Sequence, residues 1–182
     1  MISLGFFGSH QRSPRLLIAI QQMPTPTKIA VVVILESSGY WLMLKRNYPP
    51  NQGLYTPVGG KIENGESPRA AAIREVQVEA GVQIEDPHYC GLLVDSSPTD
   101  YNWMCFVYRA SVDYFAPPDC NEGELAWVPI ESLATLPTPV TDPYLYPCVL
   151  SGKPFFLNSL YSNTDDLIEL TEEISDLRLF PK

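Results

Sequence analysis

Residues Gly59 to Val82 read GGKIENGESPRAAAIREVQVEAGV, a glycine-rich turn running into a stretch with paired carboxylates. Start and stop signals bracket its second half. Ser67 suits the N-cap, Pro68 the first helical position and Gly81 the place just past the end, so the spacing predicts a helix over Pro68 to Ala80. At about 100° per residue, Ala72, Ile73, Val76 and Ala80 share one apolar side, while Glu75 and Glu79 stand nearly above one another beside it. Like charges at that spacing repel. Arg74 is expected to point away from the pair and reach back to Glu66, which leaves a divalent cation as the natural partner. Hard ions such as Mg²⁺ favour carboxylate and carbonyl oxygens. Taken alone, a glutamate pair four apart is more often a solvated helix face.

The preceding turn supplies the complement to that pair. Gly59, Gly60 and Gly65 let the backbone approach a ligand closely, and Lys61 adds positive charge where phosphate oxygens can rest. Together they suggest metal-assisted attack on a phosphoanhydride. Gly60, Glu66, the run Arg74-Glu75-Val76 and the run Glu79-Ala80-Gly81-Val82 resemble the Nudix box, written G-x5-E-x7-R-E-U-x-E-E-x-G-U with U a bulky aliphatic. One position departs: Val78 stands where the pattern has the first of two adjacent glutamates. A carboxylate that often helps to hold metal in the family is therefore missing, and weaker or fewer-metal binding is expected.

Composition bounds the alternatives. A chain of 182 residues is expected to form one domain with its own core. Its net charge of −9, without any lysine or arginine cluster, argues against a nucleic-acid polymer as partner, which would need a basic stripe. Cys90, Cys105, Cys120 and Cys148 form no C-x-x-C pair, and read as buried small hydrophobes in a reducing cytosol. His10 and His88 are isolated and receive no catalytic part. With no apolar run of about eighteen residues, no membrane span is expected. Leu16 to Ile20 is too short for a signal-peptide core, so the expected location is cytoplasmic.

Along the chain, Met1 to Thr27 mixes polar, Gly and Pro residues and reads as an N-terminal extension, with Met23 as an alternative start. Residues 28–170 carry the regular pattern of a domain. The run Ile29 to Leu35 reads as a strand buried on both faces, turned by Ser37-Ser38-Gly39 into Tyr40 to Lys45 as a hairpin at the sheet centre. Leu54 to Val58 leads into the glycine turn. His88 to Asp95 and Tyr101 to Val112 are β-like around a polar turn over Ser96 to Asp100. The family resemblance implies a strand over Leu125 to Pro129 followed by a short helix, Ile130 to Leu136. Thr141 to Leu150 reads as a helix broken at Pro147, and Pro154 to Tyr161 as a strand. Asn163 to Asp166 is a turn, with Leu167 to Leu170 returning. Residues 171–182 are acidic and read as a tail or short helix.

The resemblance to the Nudix family carries further expectations. It implies an α/β fold, the Nudix α/β/α sandwich, with a mixed β-sheet between helices. It implies hydrolysis of a nucleoside diphosphate linked to another group, with Mg²⁺ or Mn²⁺ held by Glu75, Glu79, the Gly59 carbonyl and an acid from the loop near Glu122 and Glu124. Glu122 is favoured, and Glu75 or Glu122 serves as base. Arg46 and Lys61 would meet the substrate phosphates, although a solvated arginine at a strand end is an equal reading of Arg46. Glu66 and Arg74 would brace the turn against the helix. The G-x-P-F-F segment after Leu150 loosely resembles MutT-like nucleoside triphosphate diphosphatases, which favours a nucleoside triphosphate, oxidised forms included. Nucleotide sugars, ADP-ribose and dinucleoside polyphosphates stay open, as does a non-catalytic nucleotide-binding or regulatory module. Homodimers are frequent in the family.

Overall fold

The computed structural model describes residues 27–99, 101–163 and 166–181. The N-terminal extension lies outside these except for Thr27, as do Asp100 of the first polar turn and Thr164 and Asp165 of the second. A nine-stranded mixed sheet runs in the order β6-β2-β3-β1-β5-β4-β7-β8-β9. The strands are β1 (Lys28–Ser37), β2 (Tyr40–Arg46), β3 (Tyr55–Lys61), β4 (His88–Ser96), β5 (Trp103–Ser111), β6 (Gly123–Pro129), β7 (Phe155–Tyr161), β8 (Leu167–Glu172) and β9 (Leu177–Phe180). Pairs β1/β5 and β4/β7 are parallel, and the others antiparallel. Helix α1 (Pro68–Ala80), a 3₁₀ turn (Ile130–Thr135) and helix α2 (Asp142–Leu150) complete the domain.

The sheet separates two cores, and β1 shows why. It alternates Val31, Val33 and Leu35 toward α1 with Ala30 and Ile34 toward α2, apolar on both faces as a central strand must be. One core joins Val58 and Leu42 to Ala71, Ala72, Val76 and Ala80 of α1. The other joins Trp41, Met43 and Leu157 to Leu133 of the 3₁₀ turn and Leu145, Tyr146 and Val149 of α2. Helices thus cover both faces, the architecture the family resemblance implied.

Four local expectations are corrected. Strands β1 and β2 meet only at Glu36/Trp41 and Ser37/Tyr40; beyond the turn, β3 inserts between them. Two apolar strands joined by a tight turn look like neighbours, but the register with β3 is invisible to local pattern. Gly59 and Gly60 are not in a turn; they pair with Val32 and Val31 as part of β3. Pro147 does not break α2, which is continuous through Leu150. Burial of Tyr146 and Val149 on its two sides holds the helix there despite the missing donor. Residues 171–182 hold the end of β8 and β9 rather than a helix or tail. Glu172 fixes the reversal, its carboxylate accepting from the Ile174 and Ser175 amides at 3.3 and 2.8 Å.

Among the described residues no helix is long and apolar enough to cross a membrane. All four cysteines are free, Cys90 and Cys105 buried and Cys120 and Cys148 partly so.

Candidate active site

The site is built where β3 meets α1. Ser67 Oγ accepts from the Ala70 amide at 3.2 Å, and the Gly81 amide donates to Gln77 O, fixing both ends of the helix. Its buried side is Ala71, Ala72, Val76 and Ala80, with Ile73 only half-buried, a small rotation from the expected stripe. That rotation brings Glu75 and Glu79 inward against β3 rather than leaving them on a solvated face. Glu79 is 5% exposed, and its Oε2 accepts from the Gly59 amide at 3.0 Å. The Glu75 carboxylate lies where a Cβ on Gly60 would stand, its Oε1 only 2.3 Å from that position. Gly59 has φ +154°, and a Cβ there would meet Val31 O at 2.2 Å. The two glycines are therefore demanded by close approach, Gly59 to the next strand and Gly60 to a carboxylate.

Arg74 ties these parts together. Its Nε and Nη2 donate to Glu66 Oε1 and Oε2 at 2.8 and 2.9 Å, its Nη2 also to Lys61 O at 3.0 Å, and its Nη1 to Glu75 Oε1 at 2.8 Å. It thus reaches Glu66 and, contrary to the expected geometry, also contacts the glutamate pair. The two-pronged guanidinium contact holds the Glu66 carboxyl down at about 2, with help from the Glu63 amide. Glu79 is pushed the other way, up to about 7: burial dominates, and the nearby charges of Glu122 and Glu75 add to it, opposed by the Gly59 amide and by Arg46.

A cleft of about 540 Å³ opens beside these groups, lined by Gly59, Gly60, Lys61, Glu75, Arg46 and Glu122 among others. Glu79 sits behind its wall. Arg46 is neither solvated nor free: its Nη2 lies 3.1 Å from Glu122 Oε2, and its Nε donates to Pro50 O at 3.0 Å. Glu122 is half-exposed just ahead of β6, whereas Glu124 lies within β6 opposite Lys45 and does not line the cleft. A second hollow of about 740 Å³, between the loop after α1 and the end of β5, contains none of the expected site residues.

Glu75 Oε2 and Glu79 Oε1 accept no hydrogen bond among the described residues. Among those residues no three His, Cys, Asp or Glu side chains converge closely enough to hold a metal by themselves. The donor set nevertheless fits a hard divalent cation. It is all oxygen, and the charges of Glu122 and Glu75 add to the burial that raises Glu79, a repulsion such a cation relieves.

The model of the NUDIX domain matches residues 25–147 of this chain, well over half of it. The chain belongs to the NUDIX domain family. Among curated relatives of this NUDIX protein, the uncharacterized Nudix hydrolase YvcI of Bacillus subtilis is 28% identical over 125 residues, covering 66% of this chain and 77% of that one. The NAD-capped RNA hydrolase NudC of Haemophilus influenzae is 36% identical over 63 residues, 33% of this chain and only 24% of NudC. Among solved structures, the MutT protein of Bacillus halodurans superposes with TM-score 0.72 at 22% identity, covering 81% of this chain and 98% of that one. The NUDIX domain of Shewanella oneidensis NrtR, in complex with ADP ribose, superposes with TM-score 0.60 at 15% identity, covering 77% and 92%. These likenesses establish the fold of the NUDIX domain, and its mixed sheet between helices is the MutT architecture.

Sequence reading missed two residues of the same cleft, Asp95 and Asp142. Asp95 did carry a signal: it follows Leu93 in the inward phase of β4, an acid where an apolar residue is due.

Proposed function

We propose that this NUDIX protein is a divalent-metal-dependent hydrolase that cleaves a phosphoanhydride in a nucleoside diphosphate linked to another group, a nucleoside triphosphate, oxidised forms included, being the favoured substrate. The observation that supports this best is the meeting of Glu75, Gly59, Gly60, Lys61, Arg46 and Glu122 on one cleft. Glu75, Glu79, the Gly59 carbonyl and Glu122 would hold Mg²⁺ or Mn²⁺, which when bound neutralises phosphate charge and acidifies a water. The chain's own residues do the rest. Glu75, with one carboxylate oxygen fixed by Arg74 and the other open, accepts the proton of the attacking water; Glu122 is the alternative base. Arg46 and Lys61 bind phosphate oxygens from the cleft wall. Glu66 acts only through Arg74, holding the guanidinium that orients Glu75.

One observation favours a second reading. Val78, where the family pattern has a glutamate, is 70% exposed, so this flank offers no carboxylate and suits a nucleotide-binding module without turnover. Phosphate and pyrophosphate release from nucleoside triphosphates, nucleotide sugars, ADP-ribose, dinucleoside polyphosphates and NAD-capped RNA, with Mg²⁺ and then Mn²⁺, separates the two. Turnover of one class, reduced about a thousandfold in Glu75→Gln, is expected. Absence of turnover across the panel with nucleotide still bound would establish the binding module.

A further inference from the structure

Two of the cleft's charged groups are occupied with each other. Arg46 ends β2, Glu122 stands just ahead of β6, and both line the cleft. Arg46 Nη2 lies 3.1 Å from Glu122 Oε2, while its Nε donates to Pro50 O at 3.0 Å. The backbone fixes this meeting. Arg46 stands opposite Gly123 in the ladder, and the Asn47 amide donates to Glu122 O at 2.8 Å. Gly123 permits the close approach: a Cβ there would lie 2.0 Å from Lys45 O, so a larger residue would push β6, and Glu122 with it, away from β2. With both main chains held, only the two side chains can turn. Both charges also act on Glu79, with opposite signs, so the pair stands beside the carboxylates of α1.

The pair is weak enough to open. Its side chains are 18% and 51% exposed, and water screens ion pairs of this kind. It nevertheless uses the two groups that the reading above assigns to different ligands, Arg46 to phosphate oxygens and Glu122 to a cation. Neither ligand engages its group fully while the pair stands. When Glu122 turns to a cation, Arg46 Nη2 is left without its carboxylate and open to an anion. When Arg46 turns to an anion, Glu122 Oε2 is open to a cation. Each ligand thus removes a competitor of the other, and by linkage the help is reciprocal. Direct attraction between cation and phosphate acts from ligand to ligand; this coupling acts through the protein.

We propose that the pair formed by Arg46 and Glu122 is a latch that regulates this site: closed, each side chain masks the other from its ligand, and the first ligand to bind opens it for the second. This rests on the reading of the cleft as a metal and phosphate site. Pro50 O keeps its hold on Nε when the latch opens, so the guanidinium turns about that anchor and stays in the cleft.

Two measurements on the whole chain test the latch without turnover. The first is NMR of protein carrying isotope-labelled arginine, with the Arg46 guanidinium signal assigned by its loss in Arg46→Lys. Rotation of its Nη groups is expected to be hindered in the metal-free protein and freed when Mg²⁺ alone saturates the site, occupancy being followed by calorimetry. Glu122→Gln should show the freed signal before any metal is added. The second is metal-free calorimetry with inorganic phosphate. Glu122→Gln should bind it about threefold more tightly than wild type. Glu75→Gln, which removes the same charge from the cleft without freeing Arg46, should gain clearly less. If the Gln variants do not fold, the wild-type Mg²⁺ titration alone decides. An Arg46 signal unmoved by bound Mg²⁺, or equal gains in the two Gln variants, would overturn the latch and leave the hydrolase reading intact. Mg²⁺ failing to bind at all would overturn the metal reading, and the latch with it.

Discussion

Two carboxyl groups, Glu66 bracing the glycine strand through Arg74 and Asp142 lining the cleft, are treated in opposite ways. Glu66 is gripped by both prongs of Arg74 and held at about 2, whereas Asp142 has a tyrosine hydroxyl and burial, and rises to about 7. The difference lies in burial and in the partner, not in the acid itself. A guanidinium stabilises the anion; a hydroxyl in a low-dielectric pocket offsets only part of the lost hydration. The acid gripped by Arg74 is thereby kept charged, and the buried one stays close to neutral.

The two adjacent glycines give the sharpest way to break the charged end. Gly60→Ala places a Cβ against the flexible end of Glu75, so the carboxylate must move while the fold gives way cheaply. Activity is expected to fall about a hundredfold with little change in melting temperature. Gly59→Ala drives a Cβ into the backbone oxygen of Val31 and imposes a positive φ, so its main effect should be on stability, about 3 kcal/mol. Paired melting curves and rate assays check the contrast; equal stability losses would mean that Glu75 is not what Gly60 accommodates.

Arg74→Lys tests the grip itself. A lysine keeps the charge and loses the fork that reaches Glu66, Glu75 and Lys61 O together. The expected loss is about tenfold to a hundredfold in kcat with a smaller change in KM, read from steady-state kinetics. A loss confined to KM would place Arg74 on the substrate rather than behind Glu75.

What could be read from the chain divides along similar lines. Helix α1 was legible because Ser67, Pro68 and Gly81 are local signals whose partners lie within a turn. The charged end followed from residues clustered in sequence, Gly59 to Glu79. The insertion of β3 between β1 and β2 and the pairing of β9 with β8 were not legible, because strand partners are chosen by long-range packing. Asp95 and Asp142 escaped for the same reason. Forty-odd residues separate them, and only the sheet and α2 bring them to one cleft.

Their titration sharpens the comparison in solution. Asp142 rises from 3.8 to about 7 on folding and Asp95 from 3.8 to about 6, so between those values the folded state binds more protons than the unfolded one. Their contribution to stability is therefore greatest at low pH and is lost as pH rises toward 7. Glu66 works in reverse: lowered from 4.5 to about 2, it contributes above 4.5 and is lost as pH falls toward 2. Metal-free melting temperatures should accordingly fall on both sides of a maximum just below about pH 4 so far as these three groups govern. Asp142→Asn should flatten the upper limb and Glu66→Gln the lower. An upper limb unchanged by Asp142→Asn would mean that the acid is not buried in solution.

The smallest expected effect concerns the family departure. Val78 is 70% exposed on α1, so exchanging it for glutamate removes little packing and should leave the melting temperature nearly unchanged. The added carboxylate lies one residue from Glu79 and three from Glu75, on a flank of the box end that has none, and it raises the negative charge there. If cation affinity is limited by charge on that flank, Val78→Glu should tighten Mg²⁺ or Mn²⁺ binding a few-fold, measured by calorimetry, and lower the metal concentration for half-maximal rate by the same factor. Unaltered metal affinity would mean that Glu75, Glu79 and Glu122 already satisfy the cation, and that the valine is tolerated because a third box carboxylate is not needed in this chain.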